Sequence, residues 1–193
     1  MKQRAKKYFL LAEQYFTTAE LLLETLINNE NSNAGVGNSE EEAYAIMERK
    51  VAKSDARLFI PAIFICLQST ELFVKGLLLL NGIEIDGKHE IQEFLKKLNE
   101  IYTENSPLYK EIKEIYYSHE KILQKYKKGN HITNTHDLYM SLRYPEKKNS
   151  AHDPFDYYAL MYNGDEGIKL FSTIKKSLVN VRDGVLSEYH RLF

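Results

Sequence analysis

Residues 61–82, PAIFICLQSTELFVKGLLLLNG, are apolar on nearly every side of a helix, and Glu71 and Lys75 are the only charged groups among them. A helix with no polar face must be covered all round, by lipid or by other elements of the protein. Two charges near its middle are costly in lipid, and no interfacial anchors flank them. The stretch is therefore expected to be the central helix of a soluble core, opened by Pro61 in its first turn and stopped at Asn81-Gly82.

The elements that would cover it are helical too. From Lys2 to Asn28, the residues Phe9, Ala12, Phe16, Ala19, Leu22, Leu23 and Leu26 recur at steps of three and four, as on one face of a long amphipathic helix. A second helix is expected from Ser39, which can cap a Glu-rich first turn, to about Ala56. A fourth carries Ile91, Phe94, Leu95, Leu98 and Ile101. A fifth is expected from Pro107 to Gly129, burying Leu108, Ile112, Ile115, Tyr116, Ile122, Leu123 and Tyr126. The last is expected from about Asp165 to His190, with Ile168, Phe171, Ile174, Leu178, Val181 and Val185 inward. No segment has a strand period and no repeat is visible. The expectation is all-α, a compact up-and-down bundle of about five to six helices forming one domain over 1–193, with mobile loops near 29–39 and 129–154.

Composition narrows the function classes. The 193 residues carry a formal net charge of -1, so any nucleic-acid surface must be local. The single cysteine, Cys66, lies in the apolar helix, which fits a packed thiol in a reducing compartment. The basic N-terminus leads into an apolar run broken by Glu13 and Gln14, so no signal peptide and a cytoplasmic location are expected. Tyrosine is abundant, 14 residues beside 9 Phe and no Trp, and serves both base stacking and helix packing.

Candidate chemistry falls in four places. Glu71 and Lys75, four residues apart, share a helix face; they form either a structural pair at a helix junction or a contact to a ligand. His131, His136, Asp137, His152 and Asp153 are of metal-ligand type but match no established metal spacing, so polar loop contacts are the simpler reading and no cofactor is expected. In KILQKYKKGNH, Lys121, Lys125, Lys127 and Lys128 accompany Tyr117 and Tyr126, a combination able to meet phosphates while a base stacks, or simply a cationic helix end. Arg143 and Tyr144, near Tyr157 and Tyr158, form a further candidate nucleotide contact, although Arg143 could equally anchor the loop to Glu71.

FICLQSTELFVKGLLLLNG, then Lys88-His89 and a leucine-bearing helix, resembles the HEPN domain family. SLRYPE followed by DYYALMYNGDEGIKLFSTIKKSLVNV is similar to that family's Arg-Tyr-Pro loop and last helix, and AEQYFTTAELLL is compatible with its first helix. The resemblance implies a helical bundle, usually dimeric, used for RNA cleavage or for binding RNA or nucleotides. It also implies a nucleotidyltransferase partner, often in toxin–antitoxin or antiphage systems. Catalytic members carry an Arg, a polar residue and a His separated by four to six residues, which suits metal-independent RNA cleavage. Here Arg182 and Asp183 precede His190, and seven residues intervene. That step of eight is about 80° round a helix and about 12 Å along it, and His190 is expected to lie on a fraying end. The leading expectation is a binding module that is not or only weakly catalytic. A ribonuclease using Arg182 and His190 is the alternative, followed by a metal-dependent hydrolase built on the His-rich loop.

Overall fold

The computed structural model describes residues 2–30, 34–85, 91–117, 120–147 and 153–192; of residues 117, 120–123 and 135 it describes the backbone alone. Among the described residues there are eight α-helices and no strand: α1 (Lys2–Asn28), α2 (Glu40–Val51), α3 (Asp55–Leu80), α4 (Ile91–Ile101), α5 (Pro107–Tyr117), α6 (Glu120–Gly129), α7 (Thr135–Arg143) and α8 (Gly164–Leu192), with a short 3-10 turn over Tyr158–Leu160.

The three long helices form the centre. The small and large apolar residues of α1, from Ala5 through Phe9, Ala12, Phe16 and Ala19 to Leu23 and Leu26, are buried in the most extensive pairing of the fold, with α3. Gly76 makes that closeness possible: a Cβ there would sit 2.3 Å from the Phe9 ring. Ser69 Oγ donates across the same seam to the Ala12 carbonyl at 3.0 Å, satisfying a hydroxyl that would otherwise be stranded in the core. α8 lies against both, burying Phe171, Ile174, Leu178, Val181 and Val185, and α5 packs on α8 where Gly184 admits Leu108. α4, α5 and α7 cover the remaining faces of α3. α3 has the length and hydropathy of a membrane span, but the chain's own side chains bury it.

Several expected boundaries are corrected. α2 stops at Val51 and α3 begins at Asp55, so Pro61 stands inside α3 instead of in its first turn. Pro61 and Arg57, whose carbonyl loses its amide partner, are both exposed, so water can hydrate that carbonyl. The single helix expected over 107–129 is two, α5 and α6; Ile112, Ile115, Tyr116 and Tyr126 fit one period, which does not distinguish a continuous helix from two successive ones. The expected loop 129–154 contains α7, stabilised by Asn134, whose Oδ1 accepts from Asp137 N at 2.8 Å, and by burial of Leu138, Tyr139 and Leu142. The described part of the 29–39 loop lies on α2, with Gly35 so close that a Cβ would meet the Ala43 carbonyl at 2.2 Å. The end of α3 is as expected: Gly82 has φ 82° and the Ile83 amide reaches back to the Leu78 carbonyl at 2.9 Å.

The buried tyrosines give the fold a pH limit. Burial pushes the Tyr102 phenol up to about 12, and Tyr116, Tyr126 and Tyr139 are pushed up for the same reason. Their unfolded counterparts ionise near pH 10. Stability is thus fully present below about pH 10 and is lost as pH rises towards the folded values, because only the unfolded chain releases these protons readily. An alkaline titration should show exposed phenolates first, then a steep release coinciding with loss of helical circular dichroism. Ionisation of every phenol near pH 10 with helicity intact would contradict this burial.

Candidate functional site

The end of α6, the start of α7 and the Arg143-Tyr144-Pro145 turn come together around one cleft. α6 closes with the Ile132 amide bonded to the Lys127 carbonyl at 2.9 Å and the His131 amide facing the Lys128 carbonyl at 3.4 Å, with His131 at φ 57° where such a stop usually carries glycine. The buried Asn130 ties this corner to the segment before the 3-10 turn: its Nδ2 donates to the Asp156 carbonyl at 2.8 Å and its Oδ1 accepts from the Asp156 amide at 2.8 Å. Beyond α7, the Phe155 amide donates to the Pro145 carbonyl at 2.9 Å and the Lys147 amide to the Asp153 carbonyl at 2.8 Å, an antiparallel bridge that shapes the turn. The Tyr157 hydroxyl faces the carbonyls of Ser141 (2.7 Å) and Tyr144 (3.0 Å) and fastens the returning chain to the end of α7.

The resulting cleft holds about 930 Å³. Ile132, Met140, Tyr144, Pro145 and Phe155 supply apolar wall; His131, His136 and Lys147 supply donors; and Asp137, Glu146 and Asp153 supply acceptors. Such a mixture suits a flat, polar-edged ligand, with a ring face for stacking and both kinds of hydrogen-bonding group at its rim. Arg143, in the last turn of α7, lies 5.3 Å from the Tyr144 ring and 5.7 Å from the Tyr139 ring, so it supports the aromatic wall. Glu71 has a different partner.

That partner is Lys75, whose Nζ donates to Glu71 Oε1 at 2.6 Å, with both side chains buried. Lys75 also lies 5.0 Å over the Phe94 ring. Tyr116 and Tyr139 are close enough to feel Glu71, which adds to burial in raising their phenols, and the Tyr139 hydroxyl donates to the side-chain oxygen of Gln68. The pair thus occupies the contact of α3 with α4, α5 and α7 and does not line the cleft.

The remaining sequence candidates are scattered. Lys125 is exposed on α6 but outside the cleft lining, and Tyr126 is fully buried, its ring stacked 5.7 Å from Tyr157; it supports the site from within the core and offers no face to a base. Arg182 donates from Nε to both oxygens of Glu13, at 3.1 and 3.0 Å, also meets Asp183 at 3.4 Å, and lies 5.2 Å over the Phe16 ring. The hydrogen bond to Glu13 holds its guanidinium all the more firmly charged. His190 is exposed, edge-on to Tyr189. Around its end of α8, Lys2 Nζ donates to the Leu192 carbonyl at 2.7 Å and Tyr102 donates to Glu188 at 3.0 Å. Among the described residues no three His, Cys, Asp or Glu converge as metal ligands. Lys88, His89 and His152, and the side chains of Tyr117 and Lys121, lie outside the described residues. Sequence reasoning singled out neither Asp55 nor Tyr162: the Asp55 carboxylate accepts from the Tyr162 and Asn163 amides at 2.8 and 2.6 Å.

The sequence profile of the HEPN domain matches residues 42–157. No curated protein and no solved structure matches the chain. The matched residues run from the acidic start of α2 through the α3 pair to Tyr157 behind the cleft, more than half of the chain, in an all-helical bundle: this protein belongs to the HEPN domain family.

Proposed function

We propose that this chain is a cytoplasmic HEPN module that binds a nucleotide unit, free or within RNA, in the cleft between α6, α7 and the Tyr144–Phe155 turn. The observation that carries the reading is the lining of that cleft, where the Tyr144 and Phe155 rings accompany His131, His136 and Lys147 beside three carboxylates. A base needs a ring face and acceptors for its amino and imino hydrogens, and the phosphate needs cations. Lys127, Lys128 and Arg143 in the last turns of α6 and α7 add positive charge near the rim.

The family resemblance extends the proposal to a two-fold dimer and a nucleotidyltransferase partner, in a toxin–antitoxin or antiphage setting. For the dimer, Leu10, Leu11 and Leu21 on α1 are exposed apolar side chains that a second copy would cover. Of a seam through parts of α3 and α8, which the many apolar and tyrosine-bearing faces of the sequence suggest, the α3 part is disfavoured because residues 69–80 are already buried within one chain.

The ribonuclease alternative is weakened by the engagement of Arg182 with Glu13, since a guanidinium neutralised by a carboxylate is poorly placed to stabilise a developing phosphorane charge. The test is fluorescence anisotropy with a labelled RNA and competing mononucleotides, without added metal, while following the integrity of the RNA. Binding without cleavage is expected, and Tyr144→Ala should weaken it about 5- to 150-fold, the value of one stacked base. Equal affinity of wild type and Tyr144→Ala would remove the cleft from consideration. Robust cleavage abolished by both Arg182→Ala and His190→Ala would replace the proposal with the ribonuclease.

A further inference from the structure

Of the ring pairs among the described residues, only Tyr158 with Tyr162 has both members in solvent, at 72% and 53% exposure, with centroids 6.1 Å apart and planes tilted by 51°. Neither ring lines the cleft. A single exposed ring is ordinary on a protein surface, but two rings that meet outside the core leave a contiguous aromatic face uncovered.

Each ring is held in place from a distance. Buried Asn130 bonds both the amide and the carbonyl of Asp156, and the Asp156 carboxylate in turn accepts the Tyr158 amide on Oδ1 at 2.9 Å. At the other ring Asp55, only 2% exposed at the start of α3, accepts the Tyr162 amide on one oxygen and the Asn163 amide on the other. Tyr162 has φ 60°, a left-handed conformation that is unfavourable for a bulky side chain and that glycine would adopt without strain. Two side-chain clamps and a strained backbone thus fix a pair of rings that the core does not use, which is the preorganisation a binding surface needs.

Charge decides what the pair fits. Residues 156–166, DYYALMYNGDE, carry three carboxylates and no Lys or Arg. Asp156, Asp165 and Glu166 are all exposed, and none of them is ion-paired to a cation of the described residues. The opposing cations, Lys53 and Arg57, flank Asp55 in the chain, whereas Asp156 is bonded to Tyr158 itself. Aromatic faces attract cations within about 6 Å of a ring centroid, and a cation in the mouth of the Tyr158–Tyr162 pair lies within that reach of both rings. A guanidinium suits this place better than an ammonium, because its plane stacks on a ring while its edge donates to a carboxylate. The same carboxylates repel phosphate, so a nucleic-acid strand is the wrong occupant.

We propose that Tyr158, Tyr162 and Asp156 form a docking surface for an arginine side chain on an exposed segment of a partner protein, with Asp165 and Glu166 adding to the attraction. The surface is separate from the cleft and does not depend on what the cleft binds. Anisotropy of a labelled Gly-Ser-Arg-Gly-Arg-Ser-Gly peptide tests it, beside the same peptide with lysine or glutamate in place of arginine. The arginine peptide should bind, the lysine peptide should bind more weakly, and the glutamate peptide should not bind. Tyr158→Ala and Tyr162→Asn should each weaken the arginine peptide about two- to fivefold, the worth of one exposed cation–π contact. Asn tolerates the left-handed backbone, so that variant removes the ring without refolding the loop. Tyr158→Phe should keep wild-type affinity because the ring face remains. Asp156→Asn, which keeps an oxygen for the Tyr158 amide, should weaken binding and flatten its decline with added salt. Nucleotide affinity should be the same in wild type and the Tyr158 and Tyr162 variants, so that failure of this surface and failure of the cleft are distinct results. No binding of the arginine peptide, or binding indifferent to both ring variants whatever Asp156→Asn does, overturns the surface. Preference for the glutamate peptide, or an oligouridylate held by these two rings and lost on Arg57→Gln, overturns it as well by assigning the rings to an anion.

Discussion

Lys75→Met alone should destabilise the protein by about 3–5 kcal/mol, whereas Glu71→Leu with Lys75→Met should come within about 1 kcal/mol of wild type or exceed it. The single substitution removes the ammonium that donates to Glu71 Oε1, at a site where the Glu71 side chain is 1% exposed. The double substitution removes both desolvation costs and keeps apolar volume against Phe94, Tyr116 and Tyr139. Urea denaturation of the three proteins measures the difference. Because the pair lies away from the cleft, the double variant should also retain ligand binding. A folded double variant that has lost binding would mean that the pair serves the ligand after all.

Phe73→Ala should cost about 3–5 kcal/mol, which at this chain length lowers the melting temperature by roughly 6–20 °C. Phe73 is fully buried on α3 and forms the floor of an apolar groove of about 180 Å³ between α1 and α8, beside Phe9, Val185 and Tyr189. Truncation would enlarge that groove at the junction of the three long helices, where rigid neighbours cannot collapse to fill it. A thermal melt shifted by no more than a surface substitution produces, about 0.5 kcal/mol, would show that α3 is not the centre of this core.

The same distinction between local pattern and packing separates what was legible in the chain from what was not. The extents of α1 and α8 follow from their apolar stripes, and the end of α3 follows from Asn81-Gly82, since Gly82 takes the left-handed conformation a helix stop requires. α7 was not legible: nine residues amid His, Asn and Thr are too short for a period to stand out, and Asn134 with the burial of Leu138, Tyr139 and Leu142 makes the helix stable. The tyrosines of the site divide in the same way. Composition and the Arg143-Tyr144-Pro145 turn direct attention to this end of the molecule, but identical phenols at Tyr126 and Tyr144 end up in opposite environments, one fully buried and one 46% exposed.

By itself the sequence determined the helical class, the central place of the apolar helix, the shared helix face of Glu71 and Lys75 and the resemblance to the HEPN domain family. Each depends on spacing along a single helix or on residues adjacent in the chain. Only the tertiary structure decided that Arg182 is held by Glu13, 169 positions away, that Asp55 holds Tyr162 across 107, and that His131, Tyr144 and Phe155 border one cleft. Such contacts form because helix packing brings distant segments together, and the hydrophobic periodicity that drives the packing specifies which faces are buried without specifying which partner each face meets.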